Sequence, residues 1–223
     1  MATLNLNDLS EQQKLLLTGL LSQLTGDGAT APAASKPKKV RKLETVKYWT
    51  EEEWERFLKL IVNPMHRAAF VVAYHRGLRA CETRKLMLSD WRPKDDRLQV
   101  NRCKGSASGE FHLCSAESRA LKAWVKVRGT EPGPLFRTRV GTGISQQMQD
   151  RLVKKLGKLA GIAPDKCHVH CLKHNCATHL LARGESLEDV QDHLGHRSIK
   201  STEGYAKFTS PRRQARDKRL RDW

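Results

Sequence analysis

No stretch of this chain is apolar for long enough to cross a bilayer. Its longest apolar run, Leu15–Leu21, is broken by Thr18 and Gly19 and falls well short of the ~18 residues a membrane helix needs. The sequence does not open on a basic segment followed by an apolar one, so no secretory signal is expected. Acidic residues are scarce, 24 against 41 Lys and Arg in 223 residues, for a formal charge of +17. Six cysteines without an export signal read as reduced thiols rather than a disulfide framework. No internal repeat is found. These absences exclude membrane and secreted classes and predict an intracellular protein with one sizeable domain and tails.

The positive charge is unevenly placed. Residues 1–30 sum to −2, so residues 31–223 carry +19. A polyanion is the natural partner for such a surface, because each neutralised phosphate releases condensed counterions.

Periodicity divides the chain into four segments. Residues 1–25 predict an amphipathic helix, with Ser10 and Gln13 as a capping box and Leu16, Leu17, Leu20, Leu21 and Leu24 on one face. Residues 26–43 read as a flexible basic linker, in which Lys36, Lys38, Lys39, Arg41 and Lys42 are candidate DNA-backbone contacts. Residues 44–209 read as a compact domain. Residues 210–223 form a basic tail in which Leu220 and Trp223, at i and i+3, suit docking in a groove.

Within the domain, Thr50 and Glu53 open a helix carrying Trp54, Phe57, Leu58 and Ile61, and Asn63-Pro64 starts another through about Arg76. Gly77 interrupts it, and a further helix is expected over 79–88. Alternation over 97–102 and 110–114 around KGSASG predicts a β-hairpin. Helices are expected near 116–127, 145–160, 171–183 and 186–194, with Gly129, Gly161, Gly184 and Gly195 as stops. The fold class is mainly α with a small antiparallel hairpin, α+β.

Four pieces suit phosphate chemistry. GLRACETRKLMLSDW (77–91) sets Arg79 after a glycine break, with Glu82 three residues on. The hairpin turn carries Lys104. HVHCLKH (168–174) puts His170 and Lys173 on one helical face, and LGHRSIKSTEGYAKF (194–208) holds His196 and, nine residues later, Tyr205.

In this order the pieces resemble the catalytic domain of the tyrosine site-specific recombinases, the phage integrase family, over about residues 45–208. The family's G-L-R-x-x-E box, with Leu and Asp downstream, is matched by Gly77, Leu78, Arg79, Glu82, Leu86 and Asp90. Its hairpin lysine falls on Lys104, its H-x-x-R box on His170–Lys173, its L-G-H box on Leu194–His196, and its nucleophile on Tyr205.

The resemblance implies cutting and rejoining of double-stranded DNA through a 3′-phosphotyrosyl intermediate, with no metal or other cofactor. Arg79, His170, Lys173 and His196 would then stabilise charge on the phosphate, with His170 also able to assist proton removal from the phenol. Lys104 would be the general acid and Tyr205 the nucleophile. Glu82 and Asp90 would support from behind. It also implies a dimer to tetramer assembled on DNA, with the tail 210–223 docked on a neighbouring protomer. Position 173 is Lys where the family has Arg, which keeps the charge but loses the planar fork. About 43 residues precede the domain where relatives of this type place a full helical domain, so an accessory DNA-binding protein or partner protomer is expected to complete the DNA clamp.

Other readings stay open on the residues alone: a recombinase-like DNA binder with little strand transfer, a topoisomerase of the same chemistry, or a zinc-stabilised DNA binder. The run CHVHCLKHNCATH (167–179) invites the last. Its spacings do not form the two separated ligand pairs of a structural zinc site, so no metal is expected.

Overall fold

The computed structural model describes residues 46–206 together with Lys218, Leu220 and Arg221. The segments read as N-terminal helix, basic linker and C-terminal docking tail therefore lie outside the described residues, apart from those three tail positions, as do residues 44–45 and 207–209 of the domain.

The first helix, α1 (Glu51–Lys59), is opened by a reciprocal cap. Thr50 Oγ1 accepts from the Glu53 N–H at 3.2 Å, and the Glu53 carboxylate accepts from the Thr50 N–H at 2.8 Å. Helix α2 (Pro64–His75) begins on Asn63, whose Oδ1 accepts from the N–H groups of Met65 and His66. From Ala68 to Tyr74 every α2 residue is buried, so α2 runs through the core rather than along its surface. An aromatic cluster of Trp49, Trp54, Phe57, Phe70 and Tyr74 joins α1 to α2, with Trp54 and Tyr74 stacked at 4.1 Å. Burying each such ring contributes roughly 1.5–3 kcal/mol.

After the short α3 (Ala80–Lys85) and a 3₁₀ turn at Leu88–Asp90, the chain forms an antiparallel sheet in the order β1 (Trp91–Arg92), β2 (Arg97–Val100), β3 (Gly109–His112). Trp91 pairs with Leu98, which pairs with Phe111. The expected hairpin is thus the outer part of a three-stranded sheet; two residues of β1 are too few to alternate visibly in sequence. Helix α4 (Ser115–Arg128) packs on α2, and α5 (Gln146–Leu159) follows.

Helix α6 (His170–Ala182) also packs on α2 and is buried on most of its circumference. Its polar members find partners. Asn175 Oδ1 accepts from the Trp49 N–H at 2.7 Å, and His179 bridges the Tyr74 hydroxyl and the Trp49 carbonyl at 2.6 and 2.8 Å. Helix α7 (Leu187–His193) ends on Gly195 at φ +65° and leads to the four-residue α8 (Lys200–Glu203). All six cysteines are free thiols. Among the described residues no helix is long and apolar enough to cross a membrane.

Candidate active site

Gly77 ends α2 in the left-handed region at φ +55°, which buries Leu78 and turns the chain so that Arg79 becomes the N-cap of α3. The Glu82 carboxylate holds Arg79 twice, accepting from its backbone N–H and from Nη1, both at 2.8 Å. The same Nη1 donates to the Ser106 hydroxyl at 3.0 Å and the Cys103 carbonyl at 3.4 Å. Arg79 is therefore tied to the hairpin tip, its side chain 22 % exposed.

That tip is a tight turn over Cys103–Ser106, closed by Ser106 N–H to the Cys103 carbonyl. Lys104 and Gly105, its central residues, sit at φ +56° and +72°, the pair of left-handed residues a type I′ turn requires. Lys104 is exposed. Glu82 also accepts from the Cys103 N–H at 3.0 Å and pairs with Arg102, both side chains fully buried. Burial opposes ionisation of Glu82, but these donors and the Arg102 charge outweigh it and hold its pKa below the usual carboxylate range.

Arg102 is not among the residues that the sequence singles out. It donates to the carbonyls of Arg76, Gly77 and His193 at 2.9, 3.2 and 2.7 Å, stapling the hairpin to the ends of α2 and α7. An arginine at the end of an alternating run carries no local sign of such burial.

The L-G-H piece closes on the same tip. The Ala107 N–H donates to the Gly195 carbonyl at 2.9 Å, and a Cβ on residue 195 would lie 2.5 Å from the Ala107 oxygen. Gly195→Ala is therefore expected to cost about 1–3 kcal/mol from backbone strain and clash. A thermal melt should show the midpoint falling by about 2–12 °C; an unchanged midpoint would mean the tip does not rest on Gly195.

From α6, Lys173 is 2 % exposed and its Nζ donates to the Leu194 carbonyl at 3.2 Å. Burial, then the charges of Arg79 and Arg102, lower its pKa to about 8. His196 Nδ1 lies 3.0 Å from Thr202 Oγ1; burial, then Lys173, Arg79 and Arg102, bring its pKa to about 4. Partial desolvation, followed by Lys173, His168, Arg79 and Lys104, lowers His170. The Arg79 charge thus bears on all three of these groups, and that of Lys173 on both histidines.

Tyr205 is buried, and its N–H donates to the carbonyl of Thr202, the residue that also meets His196. Burial raises the pKa of the phenol. The phenol oxygen meets not His170 but His174 Nδ1, at 2.6 Å; the His174 ring in turn stands edge-on to His170 with centroids 4.6 Å apart. The helical spacing of His170 and His174 is visible in the sequence, but not that the second of them reaches the tyrosine. Asp90 stands apart from this group: its carboxylate accepts from the Met87 N–H at 2.8 Å and caps the 3₁₀ turn. The basic residues Lys36 to Lys42 lie outside the described residues.

The histidines and cysteines of 167–179 are taken up in packing and hydrogen bonds such as Cys171 Sγ to His168 Nε2 at 3.2 Å. Among the described residues the grouping whose ligand atoms lie within 4.8 Å of one another is instead His75, Cys114 and Glu117. There the Glu117 carboxylate is already bound by both prongs of Arg76 at 2.8 Å.

Comparison with known proteins gives a consistent result. The family model for the phage integrase family matches residues 47–211. The type 1 fimbriae regulatory protein FimB of Escherichia coli (strain K12) is 30 % identical over 166 residues, covering 71 % of this chain and 82 % of FimB. The tyrosine recombinase XerC of Rhizobium meliloti (strain 1021) is 30 % identical over 204 residues, covering 86 % of this chain and 61 % of XerC. Among solved structures, XerA recombinase superposes with a TM-score of 0.64 at 26 % identity, covering 71 % of this chain, which spans 59 % of XerA. XerH recombinase bound to its palindromic difH substrate shares the fold with a TM-score of 0.69 at 22 % identity, covering 92 % of this chain and 65 % of XerH.

Proposed function

The chain belongs to the phage integrase family, and from that premise we propose that it is a site-specific tyrosine recombinase. It cuts and rejoins double-stranded DNA through a transient bond between Tyr205 and a 3′ phosphate. The observation that carries this reading is the convergence of the boxes around the hairpin tip: Arg79 bonds Ser106 and the Cys103 carbonyl, Gly195 accepts from Ala107, Lys173 donates to the Leu194 carbonyl, and His174 on the same helix meets the Tyr205 phenol.

The chemistry follows from charge. Attack on a phosphodiester concentrates negative charge on the non-bridging oxygens, which preorganised donors stabilise. Three contacts of Arg79 pass through Nη1, which leaves the Nε and Nη2 edge of the fork for the phosphate. Lys173 and His196 add donors, and the arriving anion offsets the neighbouring positive charges that, after burial, lower their pKa values. The Tyr205 oxygen bonds to phosphorus, the bond to the 5′ oxygen breaks, and Lys104 gives that oxygen a proton from the hairpin tip. The reverse steps rejoin the strand.

Lysine at 173 weakens this arrangement. Lys173→Arg is expected to speed cleavage of a nicked duplex by about 10- to 1,000-fold, the range for one improved oxyanion donor. In kcat/KM, which reports the free protein, the present chain should also slow as pH rises through about 8, where Lys173 loses its charge, and the arginine form should not. Equal rates and matching pH profiles would remove Lys173 from the phosphate site.

The basic segment Lys36–Lys42 fits an arm that tracks the DNA backbone, and the tail 210–223 fits docking on a second copy within a dimer or tetramer on DNA. The test of the function is incubation with genomic DNA fragments followed by sequencing of covalently captured ends. A recurrent site captured through 3′ ends is expected. Capture of none would overturn the reading, and capture at random ends with relaxation of any supercoiled plasmid would favour a topoisomerase.

A further inference from the structure

The 2.6 Å contact between Tyr205 Oη and His174 Nδ1 is not explained by the phosphate-binding set. A buried phenol must lose its proton as its oxygen attacks, and with solvent excluded the acceptor has to be built in. His174 is the side chain in contact with that oxygen. It stands one residue beyond Lys173 and one helical turn beyond His170 on α6, so the helix that supplies phosphate ligands also carries a group to the nucleophile.

We propose, on the basis of the recombinase reading above, that His174 is a catalytic residue: it receives the phenolic proton of Tyr205 at Nδ1 during strand cleavage and returns it during rejoining. The imidazole carries its own proton on Nε2, so the phenol donates to the Nδ1 lone pair. As the Oη–P bond forms and the P–O5′ bond breaks, the phenolic proton passes to His174, and Lys104 protonates the departing 5′ oxygen. Both protons return when the strand is resealed.

The electrostatics favour this timing. Burial, then the charges of His170, His168 and Lys173, bring the His174 pKa to about 4, so the free protein holds a neutral imidazole able to accept. The group that faces it from the α8 side is Tyr205 itself. A phosphodiester bound beside Lys173 offsets that cation and makes the imidazole more basic once DNA is in place. The division of labour differs from the one expected from sequence, where His170 assists the phenol. His170, an exposed residue, instead meets the His174 ring edge to face.

The test uses the full chain on a nicked duplex carrying its captured site, followed as single-turnover covalent adduct. His174→Ala is expected to slow cleavage by about 10²- to 10⁴-fold, the usual contribution of a proton-transfer group. Its remaining rate should rise about tenfold per pH unit, as for an unassisted phenol. Added imidazole should restore a saturable part of the loss. A 5′-bridging phosphorothiolate, whose thiolate leaves without a proton, should rescue Lys104→Ala but not His174→Ala.

His174→Gln keeps a hydrogen-bond acceptor without a basic nitrogen and covers the case in which the alanine form does not fold. It should remain slow at an unchanged melting temperature, whereas wild-type rates would reduce His174 to holding the phenol in place and overturn the proposal. So would His174→Ala cutting within about threefold of wild type, or losing activity with no imidazole rescue and an unchanged pH slope. A wild-type chain that captures no DNA ends the recombinase reading and this assignment together; capture that survives loss of His174 ends this assignment alone.

Discussion

Tyr205→Phe is expected to yield no covalent protein–DNA adduct on a nicked duplex, read as a band surviving denaturing electrophoresis. The substitution removes one oxygen and nothing else of the side chain's shape, so the surrounding cluster of Cys176, Ala177, Leu181, Val190 and Leu194 keeps its packing. Stability is not untouched. His174 Nδ1 loses the partner it has at 2.6 Å, and a half-buried polar atom without its hydrogen bond costs about 1–3 kcal/mol. A modest fall in melting temperature with retained DNA binding and no adduct is the expected pattern. An adduct formed by the phenylalanine protein would move the nucleophile elsewhere.

The second large effect is at Arg79. Arg79→Ala is expected to slow cleavage by about 10²- to 10³-fold, the cost of one oxyanion donor. The fold should survive, because Glu82 keeps the Arg102 guanidinium and the N–H groups of residue 79 and Cys103. Arg79→Lys should recover little, since an ammonium cannot hold Glu82 and the phosphate with two edges of one plane. Part of the loss could instead arise from a loosened hairpin, because Nη1 also holds Ser106 and the Cys103 carbonyl. Ser106→Ala separates the two: it removes only the hairpin bond and should cost less than about tenfold. A larger loss at Ser106 than at Arg79 would mean that Arg79 acts by holding the tip.

Much of this arrangement can be read from sequence because each box is local. Asn63-Pro64 announces α2, Thr50 and Glu53 announce α1, and Gly129, Gly161, Gly184 and Gly195 all fall at left-handed positions after helices. What sequence does not display is contact between boxes. Arg102 reaches His193 across 91 residues, and Ala107 meets Gly195 across a similar span, so neither leaves a periodic trace. Helix α6 has no apolar stripe because both its faces are buried, which makes its histidines and cysteines look like a ligand cluster when several are core residues with partners. The strand β1 and helix α8 are too short to establish a period. The sequence displays His174 as a helical neighbour of His170 but not as the partner of Tyr205, since that contact depends on how the chain returns after Gly195.

The reading of a single phosphate site served by one phenol is tested most directly by digesting the protein–DNA adduct and locating the modified residue by mass spectrometry. A peptide bearing a nucleotide joined through its 3′ phosphate to Tyr205 is the expected result. Attachment to any other side chain, or through a 5′ phosphate, would contradict it.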